Sequence, residues 1–193
     1  MSTQEKTVKP NQCVLAFGIP TDKESFFSDL KNPNKDFAKN FYTWSKYNRE
    51  VVSELNAILP KLSRSGIVIK QNLTLDEFKP LFDKYEVVIL FSHWKKEKSK
   101  IEFYDGLVDY NHIASLIPDD YSGVIDLSVC SQTELALLIR KTKSKDLICI
   151  YNQKEAIPFV WLNFYAELFK HLKEMNTTYL NAFNIITSKF IKS

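Results

Sequence analysis

Residues 86–94, EVVILFSHW, carry five consecutive apolar side chains and then a serine, a histidine and a tryptophan. A strand that is apolar on both faces belongs in the middle of a parallel sheet covered by helices, whereas a half-exposed strand alternates. Residues 122–132, SGVIDLSVCSQ, repeat the device with Cys130 just past the run. Ligands and chemistry collect at the carboxyl ends of strands in such sheets, so neighbouring strands would bring the His93 imidazole and the Cys130 thiol together. That is the layout of a Cys-His hydrolase.

Working outward, CVLAFGI (13–19), IVIK after Gly66, and DLICIY (146–151) read as three further buried strands. Between them the apolar spacing changes from runs to intervals of three and four. This predicts an amphipathic helix or helix pair from Asn34 to Leu62, and a short helix opened by the capping box Thr74-Leu-Asp-Glu77. KIEFYDGLVDY (100–110) predicts a β-hairpin turning at Asp105-Gly106, followed by a short helix in HIASLIP. Thr133–Lys141 reads as a helix after the cysteine strand, and helices at 156–173 and 177–189 finish the chain. Alternating strands and helices mean a three-layer α/β sandwich, a mostly parallel sheet with helices on both faces. Residues 1–12 are read as a flexible tail and 13–193 as one domain.

Composition is ordinary for a soluble globular protein: 45% hydrophobic and 25% charged, with 26 Lys and Arg against 23 Asp and Glu. The resulting +3 is too small and scattered to imply nucleic acid. Its densest patch, Lys95, Lys96, Lys98 and Lys100, reads as a solvated loop. No apolar run reaches the roughly 18 residues of a membrane span, and the polar start does not look like a signal, so a cytoplasmic protein without a membrane partner is expected. Four glycines and no GxGxxG or GxxxxGK[ST] argue against a glycine-rich nucleotide loop. Three cysteines without a CxxC pair suggest neither a disulfide framework nor zinc. No cofactor and no metal are expected; Cys13 and Cys149 read as small buried hydrophobes.

A thiolate nucleophile needs an imidazole to take its proton and backbone N–H groups to hold the developing oxyanion. Cys130 is the candidate nucleophile, His93 the general acid/base, and the backbone N–H groups of Trp94 and Cys130 the candidate oxyanion donors. A helix starting near Ser131 or Gln132 would turn its positive end toward the thiol. No third member is assignable from the sequence. Asp126, four positions before Cys130 and so of the same strand parity, and Tyr104 and Asp105 at the hairpin are candidate substrate-binding residues. His112 and His171 lack ligand-spaced partners. The aromatic run Phe159, Trp161, Phe164, Tyr165 and Phe169 reads as a helix packed on the sheet.

A strand ending in His (VVILFSH), a hairpin-rich insert, a strand ending in Cys (GVIDLSVCS), the strand DLICIYN and the helix PFVWLNFYAELFKHL occur in that order. Over about residues 66–190 this arrangement resembles the caspase-like cysteine peptidases, the CHAT-type branch more than the caspases proper. The QAC[RQG]G signature of true caspases is absent. Trp94 stands where the family usually has glycine, and a ring there would narrow the approach to the thiol. The resemblance implies a cysteine endopeptidase acting on a protein or peptide substrate. Because CHAT-type domains often sit in longer chains with regulatory regions, it also implies control by a separately encoded regulatory protein. The alternatives are a catalytically inactive caspase-like module that binds a protein partner and, more remotely, a flavodoxin-like domain for a small ligand.

Overall fold

The computed structural model describes residues 7–95, 99–152 and 158–191. Five strands, β1 (Cys13–Phe17), β2 (Val68–Lys70), β3 (Val87–Phe91), β7 (Val124–Ser128) and β8 (Ile148–Tyr151), form a wholly parallel sheet in the order β2-β1-β3-β7-β8. The three inner strands are buried at every position, as their unbroken apolar runs require. Between β3 and β7 the chain leaves the sheet and builds a second, antiparallel one from β4 (Trp94–Lys95), β5 (Lys100–Phe103) and β6 (Gly106–Asp109).

Helices cover both faces of the parallel sheet. Cys13, Leu15, Phe17, Val87, Ile89 and Phe91 point toward α1 (Lys23–Lys31), α3 (Ser53–Ser65), α7 (Pro158–Glu174) and α8 (Tyr179–Ile191). The alternate positions Val14, Ala16, Val88, Leu90, Ile125 and Leu127 point toward α4 (Leu75–Lys84), α5 (Tyr110–Leu116) and α6 (Thr133–Thr142). The result is the three-layer α/β sandwich that the strand patterns imply. Thr7 bridges Thr178 and the buried Val8 donates its N–H to the Thr177 carbonyl at 3.3 Å, so these two residues lie against the start of α8.

Several local expectations change. The helix expected from Asn34 begins only at Trp44, where α2 (Trp44–Tyr47) runs through a π turn at Asn48–Val52 into α3. Thr43 caps it, and Tyr42 just before has a positive φ of 61°. Ala38–Phe41 is instead a 3-10 turn. Helix α1 was not anticipated, although Asp22 accepts the Ser25 N–H at 2.8 Å in a capping arrangement. The Thr74–Glu77 box is present, the Thr74 N–H donating to the Glu77 carboxylate at 3.2 Å. The hairpin turns at Tyr104-Asp105, since Phe103 pairs with Gly106. Asp105 is held in that turn by accepting the Leu75 N–H, the first of α4, at 3.1 Å. Lys95 is a strand residue in an ion pair, and Lys96 and Lys98 lie outside the described residues.

Gly18 is a point of close approach. Its N–H donates to the Phe91 carbonyl at 3.0 Å, and a Cβ there would press on the Glu102 carbonyl and lie 2.7 Å from Ser92 Oγ. Gly18→Ala is therefore expected to cost about 1–3 kcal/mol, because the oxygen it meets is backbone and cannot turn aside. Urea unfolding measures this; a loss under about 0.5 kcal/mol, the scale of a neutral surface change, would contradict the close approach.

Candidate active site

The last register pair between β3 and β7 is Phe91↔Ser128. His93 and Cys130 each lie two residues beyond it, at the carboxyl end of the sheet beside the point between β1 and β3 where the order of strand addition reverses. Both line one cavity of about 190 Å³, whose walls also include Ile19 after β1, Phe37, Phe41, Trp161 and the strand-end residues Phe91, Ser92 and Ser128. A larger hollow, about 300 Å³, sits at the opposite end of β3 and β7 around Tyr85, Glu86 and Gly123 and has neither thiol nor imidazole.

His93 is mostly buried and stacks against Phe37 with ring centroids 4.9 Å apart. Its Nε2 lies 3.3 Å from Asp36 Oδ1, an ion-pair distance without the alignment of a good hydrogen bond. Asp36 Oδ2 in turn meets Lys95 Nζ at 2.6 Å. Burial holds the imidazole below its ordinary pKa, and Asp36 opposes that shift only in part. Burial thus favours the uncharged ring, with Asp36 beside Nε2.

Behind His93 lies a second set of charges. Lys35, 2% exposed, places Nζ 2.8 Å from Asp29 Oδ2 and 3.3 Å from Glu102 Oε1. It also donates to the Tyr104 carbonyl at 3.2 Å. Burial and the adjacent Asp29 raise the Glu102 carboxyl well above the usual range, with Lys35 pulling the other way. The Glu102 backbone N–H donates to the His93 carbonyl at 2.9 Å, and Ser92 Oγ donates to the Glu102 carbonyl. Lys35 therefore ties the loop that carries Asp36 and Phe37 to the hairpin and to the strand end that carries His93.

Cys130 is half-exposed, in a tight turn between β7 and α6. Ser131 has a φ of 51°, and the buried Gln132 side chain donates to the Cys130 carbonyl at 2.6 Å. Gln132 N–H donates to Asn152 after β8 at 2.9 Å. The α6 start follows at Thr133, three residues after Cys130. Cys13 and Cys149 are buried, as read from their strands, and burial pushes the Cys149 thiol up to about 12.

The remaining candidates are placed elsewhere. Trp94 packs its ring against the α4–α6 side of the sheet and is not part of the cavity wall, so it does not crowd the cleft. The reason is its pairing with Ile101: as a strand residue it takes the face opposite to His93. Asp126 is 2% exposed and accepts from Tyr179 Oη at 2.9 Å, deep under α8 and away from the cavity. Asp105 caps α4, and the Tyr104 ring lies 5.8 Å from Lys35 Nζ. Phe164, Tyr165 and Phe169 are core residues, whereas Trp161 of the same helix reaches the cavity; the Phe159 side chain lies outside the described residues.

The sequence reads Phe37 and Phe41 as helix positions and Ile19 as a strand residue, and marks none of them, nor Asp36, as part of a site. Asp36, Phe37 and Phe41 stand in a stretch whose aromatic spacing imitates a helix, and nothing local marks Asp36 as facing a histidine far along the chain. No family model matches this chain, and no curated protein matches it.

Proposed function

We propose that the protein is a cysteine peptidase of the caspase-like, CHAT-type kind, with Cys130 as nucleophile and His93 as general acid/base. The observation that carries this reading is that an imidazole and a half-exposed thiol, each two residues past one register pair, line the same cavity. Asp36, beside Nε2, is the charge that would stabilise the imidazolium formed when His93 takes the thiol proton. The sulfur then adds to the scissile carbonyl, and the oxyanion is held by the backbone N–H groups of Cys130 and Trp94. The C–N bond breaks as His93 returns the proton to the leaving amine. Water, deprotonated by His93, hydrolyses the thioester to release the acid and restore the thiol. The substrate is a peptide bond in a protein partner, and a separately encoded regulator belongs to the same proposal.

The test is the rate at which a small alkylating reagent labels Cys130 at neutral pH, followed by mass spectrometry. Wild type is expected to label faster than an ordinary exposed thiol, and His93→Ala to slow it by about 10–100-fold, the scale of general-base assistance. Labelling at an ordinary rate in both proteins would favour the inactive binding module instead.

A further inference from the structure

The cavity beside Cys130 has a composition that bears on what the enzyme would cut. A peptide whose carbonyl carbon sits at the sulfur must direct the side chain on the adjoining Cα into whatever hollow adjoins the thiol. Here the hollow is walled mainly by Ile19, Phe37, Phe41, Phe91 and Trp161, with Ser92 and Ser128 beside His93 and Cys130. Among the described residues, no carboxylate or ammonium group lines it; Asp36 and Lys95 pair with each other beside His93. Lys35, Asp29 and Glu102 offset one another in the buried set behind. A cavity of about 150 Å³ with aliphatic and aromatic walls takes a benzene ring. This one, at about 190 Å³, has room for a leucine or phenylalanine side chain.

We infer that this cavity receives the side chain of the residue whose carbonyl Cys130 attacks, and that it selects an uncharged apolar side chain of leucine to phenylalanine size. The inference rests on the peptidase reading. An aspartate or lysine side chain would lose its hydration against these walls and meet no counter-charge, which costs far more than a missing methylene.

The experiment uses short peptides ending in a chloromethyl ketone, with Leu, Phe, Asp or Lys next to the ketone. The Cys130 thiolate displaces chloride, so one S–C bond forms as one C–Cl bond breaks, and mass spectrometry counts labelled protein. Leu and Phe reagents are expected to label about 100-fold faster than Asp and Lys reagents, given the desolvation of the charge. Phe41→Lys, which puts an ammonium group at the wall, should cut the Leu-to-Asp ratio by at least about tenfold; the ratio is read on folded protein and does not depend on its yield. If Asp or Lys reagents label as fast as Leu while small-reagent labelling still depends on His93, the pocket assignment falls and the dyad stands. If His93 dependence is itself absent, both fall.

Discussion

Lys35→Met is expected to lower stability by about 3–5 kcal/mol, the loss typical of removing one partner from a buried ionic set. Asp29 and Glu102 are 1% and 0% exposed and would face each other with nothing between them. Burial and Asp29 make the Glu102 carboxyl hold its proton more tightly than usual, which lessens the negative charge facing the ammonium. Neutralising the partner as well, in Lys35→Met with Asp29→Asn, should recover a large part of the loss, since a fully apolar or neutral replacement of such a set is often tolerated. Urea unfolding of the two variants decides the matter. A single-variant loss below about 1 kcal/mol, the worth of an exposed pair, would refute the account. Because Lys35 also ties the Asp36 loop to Tyr104, the single variant should lose His93-dependent labelling of Cys130 along with stability.

Asp126 gives the second large effect, and its signature is pH. Burial raises its carboxyl from 3.8 to about 7, although Tyr179 donates to it and pulls the other way. Between those values the folded protein binds a proton that the unfolded chain does not. Stability therefore falls as pH rises from about 4 to about 7, and the loss is complete above that. At about 1.4 kcal/mol per pH unit the window amounts to roughly 4 kcal/mol for this one group. Asp126→Asn keeps an acceptor for Tyr179 and has no charge to bury. Variant and wild type should unfold at similar urea concentrations near pH 4, and the variant should be the more stable by a few kcal/mol at pH 8. Parallel pH profiles would show that Asp126 is not protonated in the fold.

Both predictions concern residues whose surroundings were hidden in the sequence, and the reason is distance along the chain. The inner strands were legible because an unbroken apolar run leaves few alternatives. His93 and Cys130 were legible because each closes such a run. Asp126 was correctly placed on a strand, but Tyr179, which covers it, comes from the last helix. Lys35 and Asp36 sit in a connection whose apolar residues keep helical intervals up to Tyr42, where the backbone turns to positive φ. The side Trp94 takes is hidden for a related reason: a strand of two residues is too short to betray its pairing, and pairing decides the face its ring takes.

The excursion that carries β4, β5, β6 and α5 departs from β3 and returns on β7, its hydrogen-bonded neighbour. The spacing of histidine and cysteine is consequently set by the ladder from Val87↔Val124 to Phe91↔Ser128 and not by the amount of chain between them. Doubling a flexible connection adds only about 0.6 kcal/mol of closure entropy. Chain added to the excursion away from Tyr104 and Asp105, which hold Lys35 and the start of α4, would thus leave imidazole and sulfur where they are, which makes the rest of the excursion the part of the molecule best suited to lengthen or diversify without altering the chemistry beneath it.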